Sequence, residues 1–125
     1  MSKAIIQTAG APAAIGPYSQ AIKVANVVYT SGQIGLDPAT GELVAGFEAQ
    51  VHRAFKNLAA VAEAAGGSLA NVAKFTLFLT DLSKFAQANQ IMQEYVPAPY
   101  PARSTVGVAS LPRGAEFEVE AILTL

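Results

Sequence analysis

The C-terminal third of the chain holds one arginine that could bind a small anion. Arg103 opens a predicted strand in the segment PYPARSTVGV, and strand alternation places Thr105 and Gly107 on the same face. Because these two neighbours are small, they leave room over the guanidinium for a planar group, and its forked donors match a carboxylate. The alternative interpretation is a surface arginine that pairs with a glutamate of the last predicted strand. Both interpretations fit the spacing equally well.

Three glutamates alternate along that last strand. In the segment EFEVEAIL, Glu116, Glu118 and Glu120 share one face, and the apolar residues between them share the other. Such a row usually forms a solvated sheet face. The functional alternative is that one of these carboxylates lies near Arg103, where it positions a water molecule or exchanges a proton.

Two further side chains, His52 and Tyr18, are candidates for chemistry. His52 lies four residues after Glu48 and beside Arg53 on a predicted helix, which favours an exposed helical pair over a catalytic role. Tyr18 follows a Gly-Pro pair, so a loop presents its ring either to a ligand or as a cap on the core.

Composition excludes several kinds of site. The 125 residues contain no cysteine, which rules out thiolate catalysis, disulfides and zinc–thiolate centres. The sequence has no glycine-rich nucleotide motif and no H-E-x-x-H, so cofactor and metal chemistry have no support. A net charge of −1 gives no basic field for nucleic acid or anionic lipid. The start, MSKAIIQTAGAPAAIG, does not resemble a signal peptide, and a cytoplasmic protein is expected.

The elements that must position these residues form one predicted α+β domain over residues 1–125. Apolar residues at helical spacing predict a helix from Phe47 to Ala65 that Gly66-Gly67 closes, and Ser83 is the predicted N-cap of a second helix that ends near Tyr95. The predicted strands are residues 4–7, a hairpin within 21–31 that turns at 25–26, and residues 72–79, 103–108 and 117–123. This order predicts one mixed sheet of about six strands with two helices covering one face.

The second face of that sheet would then lack a cover. Apolar residues make up 52% of the chain and charged residues only 14%, so the surface is unusually apolar. We therefore expect copies of the chain to bury this face in an oligomer.

Three segments resemble a known family. They are IGPYSQA at 15–21, TSGQIGLDPATGE at 30–42 and PARSTVGVASLPRGAEFEVEAI at 101–122, and together they are similar to the reactive intermediate deaminase (Rid or YjgF) family. The resemblance implies a chorismate-mutase-like fold, a homotrimer and three sites in clefts between subunits. It also implies a hydrolase without cofactor or metal, which converts the imines that pyridoxal-phosphate dehydratases release, 2-iminopropanoate (with its enamine 2-aminoacrylate) and 2-iminobutanoate, into 2-keto acids and ammonia.

The resemblance assigns roles to individual positions. Arg103 matches the arginine that binds the substrate carboxylate, and Glu118 matches the glutamate that holds the attacking water. The positions that match the lining of the substrate cleft are Tyr18, Ser31, Gly32 and Asn89. Thr105 stands where many relatives have cysteine, and its main chain is expected to contact the substrate, so the change should be tolerated.

Two other functions stay open at this point. One is a trimer that binds a small 2-keto or imino acid without turning it over. The other is the ribonuclease or translation-inhibitor activity attributed to some relatives, against which the sparse basic residues argue.

Overall fold

The computed structural model describes residues 2–125 and confirms an α+β fold in which two α-helices cover one face of a mixed sheet. The strands are β1 (Ala4–Ile6), β2 (Ala21–Val24), β3 (Val27–Thr30), β4 (Gln33–Ile34), β5 (Val72–Leu79), β6 (Ala102–Gly107) and β7 (Phe117–Thr124). The helices are α1 (Phe47–Ala64) and α2 (Phe85–Met92). The sheet order is β1-β2-β3-β7-β5-β6, with β4 also beside β7, and only β5 and β6 run parallel. This places β6 at one edge of the sheet.

The core fills the space between the sheet and α1. Every second residue of β7 is buried, beginning at Phe117, because the strand turns one face to the helices. The ring of Phe55 from α1 lies between those of Phe75 and Phe117, at centroid distances of 6.0 and 5.8 Å. Burial of each such side chain contributes roughly 1.5–3 kcal/mol. No helix within residues 2–125 is both long and apolar enough to cross a bilayer.

Several predicted elements are confirmed. The hairpin of β2 and β3 turns at Ala25, whose φ of 55° is the left-handed conformation of a tight turn. α1 ends one residue before the predicted Ala65, and Gly66 follows with a φ of 97°. The observed β5 has the predicted bounds.

The start of the second helix differs from the prediction. Asp81 caps a short turn ahead of α2, and its carboxylate accepts a hydrogen bond from the backbone N–H of Ser83 at 3.0 Å. Hydrogen bonds from Ser83 also lower the pKa of Asp81. A short 3₁₀ turn (Leu82–Lys84) follows, and α2 ends at Met92 rather than near Tyr95. The prediction of Ser83 as N-cap is therefore wrong: Lys84 is the N-cap of α2, without a side-chain hydrogen bond, and Ser83 lies inside the 3₁₀ turn that Asp81 caps.

The structure adds a seventh strand, β4, which the sequence analysis missed. With only two residues, β4 is too short to show any periodicity. A fully buried amide holds the segment in place: Asn57 Nδ2 donates to the carbonyl oxygens of Ile34 at 3.3 Å and Leu36 at 2.9 Å. These bonds satisfy buried backbone groups that would otherwise cost free energy. They fix the chain directly after Ser31 and Gly32.

Candidate active site

The two principal candidates, Arg103 and Glu118, lie on opposite faces of the sheet. Arg103 is the β6 partner of Phe75, whose fully buried ring faces the helices. Glu118 is the β7 partner of Phe78, which lies an odd number of residues from Phe75 and so faces the other way. A single chain therefore does not bring the two groups together, and the expectation of a carboxylate near Arg103 is not met within one chain.

The arginine half-site consists of Phe85, Asn89, Met92, Arg103 and Thr105. Arg103 Nη1 donates a hydrogen bond to Asn89 Oδ1 and lies 3.7 Å from Met92 Sδ. The guanidinium carbon lies over the Phe85 ring, 5.1 Å from its centroid. Thr105 shares the strand face of Arg103, and its Oγ1 is buried without a hydrogen-bond partner in residues 2–125. A cavity of about 340 Å³ adjoins Asn89, Met92 and Arg103.

Arg103 does not pair with the glutamates of β7. The salt bridge found within residues 2–125 joins Lys84 Nζ to Glu116 Oε1 at 3.0 Å. The alternative interpretation, a surface arginine neutralised by Glu116, Glu118 or Glu120, is therefore wrong for this chain. The guanidinium keeps donors for an external anion.

The glutamate half-site consists of Tyr18, Ser31, Gly32 and Glu118. These residues line one cleft of about 550 Å³, to which Arg113 also contributes. The Glu118 side chain is half-buried, and this desolvation, with a smaller contribution from the negative charge of Glu120, raises the pKa of its carboxyl group. Ser31 Oγ donates to the carbonyl oxygen of Ser19 at 2.6 Å, which ties the strand end to the loop that carries Tyr18.

The sequence analysis missed the residue that shapes this loop, Gln20. Its side chain is 3% exposed; Oε1 accepts from Thr8 N at 2.7 Å, and Nε2 donates to the carbonyl oxygens of Thr8 and Pro12 at 3.0 and 2.8 Å. The loop is rich in Gly, Pro and Ala, so its own side chains cannot satisfy its backbone groups. A lone glutamine beside such a segment is the signal that could have identified it. Gln20 thereby holds Tyr18 at the cleft.

Gly32 allows Glu118 to occupy its position. A Cβ built at Gly32 would overlap Glu118 Oε2 and lie 2.7 Å from the carboxyl carbon. Only a glycine therefore lets the carboxylate rest against the main chain of residue 32.

We expect Gly32→Ala to lower kcat by about 10-fold or more, because the added methyl group displaces a carboxylate that the proposed reaction needs. Steady-state kinetics with the imine substrates that the family resemblance implies measures this effect. Gly66→Ala is the control, since Gly66 has open space around it but a φ of 97°; it should lower stability by about 1 kcal/mol and leave kcat unchanged. Wild-type kcat in Gly32→Ala would contradict the role given to this close approach.

His52 belongs to neither half-site. Its Nδ1 lies 2.6 Å from the Tyr95 hydroxyl, and burial raises the pKa of Tyr95. The predicted pair with Glu48 is wrong, because the imidazole pairs instead with the partly buried hydroxyl of Tyr95, three residues after the end of α2. Within residues 2–125 no cluster of three or more His, Asp or Glu side chains is arranged to hold a metal ion.

The sheet order and the two α-helices on one face define a chorismate-mutase-like α+β protein. A family model described as Endoribonuclease L-PSP matches residues 8–125, and the chain belongs to this family, which is the Rid/YjgF family. A 2-iminobutanoate/2-iminopropanoate deaminase from Dermatophagoides farinae is 46% identical over 98% of this chain and 97% of its own length.

Solved structures agree in fold. The crystal structure of RidA from an Antarctic Psychrobacter bacterium is 54% identical, has a TM-score of 0.95, and is matched over 98% of this chain and 99% of its own. Escherichia coli TdcF, solved with bound serine, is 41% identical with a TM-score of 0.92 over 98% of each chain.

Proposed function

We propose that this protein is a 2-iminobutanoate/2-iminopropanoate deaminase, which hydrolyses the imines and enamines released by pyridoxal-phosphate-dependent dehydratases. The observation that carries the proposal is the Arg103 guanidinium, which has no carboxylate partner among residues 2–125 and is held by a neutral amide, Asn89. Such a group suits the carboxylate of a 2-imino acid. Relatives about 46% identical carry the deaminase name over nearly their whole length.

The proposed reaction divides the work between the two half-sites. Arg103 binds the substrate carboxylate and the main chain at Thr105 contacts the substrate, while Glu118 holds the attacking water. Water adds to C2 of the protonated imine while Glu118 takes one of its protons, and Glu118 then returns that proton to the nitrogen of the resulting carbinolamine. The C–N bond breaks as the C2–O double bond forms, and the departing ammonia takes the hydroxyl proton. A 2-imino acid and water thus become a 2-keto acid and an ammonium ion. The raised pKa of Glu118 brings it closer to the working pH than an ordinary carboxyl group, which favours both proton transfers.

The proposed site lies between subunits of a homotrimer. Because Arg103 and Glu118 face opposite sides of the sheet, two chains are needed to bring both to one substrate. The uncovered face also exposes large apolar side chains, including Tyr29 at 50% and Ile122 at 37%.

Light scattering should give a mass about three times that of the 12.9 kDa chain. A monomer would contradict the assembly.

The first test of the proposal couples the purified protein to a threonine dehydratase. We expect faster formation of 2-oxobutanoate when the protein is present, because the 2-iminobutanoate that the dehydratase releases is otherwise hydrolysed only by the slower uncatalysed reaction. Absorbance of the 2-keto acid follows the reaction, and dehydratase alone and buffer alone are the controls. An unchanged rate would contradict the deaminase function for this substrate.

The same samples separate two alternatives. A binding protein without catalysis would bind 2-oxobutanoate in calorimetry but leave its rate of formation unchanged. A ribonuclease would degrade RNA, for which a chain of net charge −1 has little electrostatic affinity. A cytoplasmic location stays a prediction.

A further inference from the structure

Helix α2 turns one face towards Arg103. Phe85, Asn89 and Met92 are spaced by four and then three residues, so their side chains share a stripe of the helix. Each contacts the guanidinium group: the Phe85 ring lies 5.1 Å away, Asn89 Oδ1 accepts from Nη1, and Met92 Sδ lies 3.7 Å from Nη1. The contacts to Arg103 thus come from a single rigid element.

These contacts leave one edge of the guanidinium free. Asn89 and Met92 both accept from the same guanidinium nitrogen, Nη1. The other two nitrogens, Nε and Nη2, therefore donate to no partner in residues 2–125. That pair forms the side-on fork that binds both oxygens of a carboxylate. One bond to Nη1 fixes the position of the group but not the plane in which the fork lies. A second contact must set the plane.

We infer that Phe85 is a positioning residue that sets the plane of the Arg103 guanidinium for a substrate carboxylate. A cation over an aromatic face is attracted by the negative charge of the ring face, and the attraction grows when the pair loses water. This inference rests on the proposed function, because it assumes that Arg103 binds the substrate carboxylate.

The role predicts a particular pattern of kinetics. Phe85→Leu keeps an apolar side chain on α2 but removes the aromatic face, and we expect it to raise KM for 2-iminobutanoate by roughly 3- to 30-fold. Its kcat should stay within about twofold, because the carboxylate is bound equally in the ground state and the transition state. Phe85→Tyr retains an aromatic ring at this position and should have the KM of wild type. Gln87→Ala, on an exposed position of α2, is the control and should behave as wild type.

A second measurement does not depend on turnover. Nitrogen-15 relaxation of the Arg103 guanidinium should show faster motion in Phe85→Leu than in wild type and in Phe85→Tyr. Unchanged KM and unchanged motion in folded Phe85→Leu would overturn the inference, as would a folded Phe85→Tyr that fails to restore them. If wild type hydrolyses no imine, the proposed function fails, and the relaxation data alone decide whether Phe85 positions Arg103.

Discussion

Arg103→Ala is expected to lower kcat/KM for 2-iminobutanoate by at least about 100-fold, because two charge-assisted hydrogen bonds to the carboxylate are lost. The fold should persist, since the Arg103 side chain is exposed and its partner Asn89 gains access to water. We expect the free energy of unfolding to change by less than about 0.5 kcal/mol. The dehydratase-coupled assay measures the first effect and urea unfolding measures the second.

Two further variants separate the loss of the forked guanidinium from the loss of a positive charge. Arg103→Lys retains the charge but not the fork, so it should recover only part of the lost kcat/KM. Lys56→Ala removes a positive charge from an exposed position on α1 and should behave as wild type. Wild-type kinetics in Arg103→Ala would refute the role given to Arg103.

Much of the sheet could be predicted because β7 has strict alternation. Phe117 and its alternate apolar neighbours could face only the core, which turned Glu118 and Glu120 to the other side. The pattern of α1 was equally strong, since residues such as Val51 and Leu58 recur at helical spacing and are fully buried. Both elements bury most of their apolar side chains in the core, so the spacing of apolar residues in the sequence shows directly which face of each element is buried.

The orientation of β6 could not be predicted in the same way. Its apolar residue Val106 would face the core if hydrophobicity decided, yet Val106 is 40% exposed and Arg103 takes the helix-covered face. As an edge strand with little burial, β6 takes its register from pairing with β5. Pairing depends on contacts distant in sequence, which local patterns do not record. The separation of the site into two halves was therefore implied only by the family resemblance.

Glu118→Gln is expected to lower kcat by about 100- to 10,000-fold, because the amide cannot take a proton from water. It should also make the protein more stable at pH 7. Burial holds the folded-state pKa of Glu118 above its ordinary value of 4.5, so the folded chain binds more protons than the unfolded chain just above that pH. Stability is therefore lost as the pH rises from about 4.5 through the folded-state pKa. The amide avoids this loss.

Urea unfolding at pH 4 and pH 7, at equal protein concentration, measures the stabilisation, which should be larger at pH 7. Glu120→Gln is the matched control, since Glu120 is the next residue on the same strand face but is exposed. It should retain activity. A Glu118→Gln variant that is fully active, or that is less stable at pH 7 than wild type, would contradict this account of Glu118.

Mixing the two inactive variants tests whether Arg103 and Glu118 act across a subunit boundary. When Arg103→Ala and Glu118→Gln chains are refolded together in equal amounts, some interfaces pair an intact Arg103 from one chain with an intact Glu118 from its neighbour. Random assembly of a cyclic trimer makes about one quarter of the sites intact, so about one quarter of wild-type activity should return. If each site used both residues of one chain, no mixture would contain an intact site and no activity would return. A mixture as inactive as its components, with mixed trimers verified by mass spectrometry, would therefore exclude the shared site.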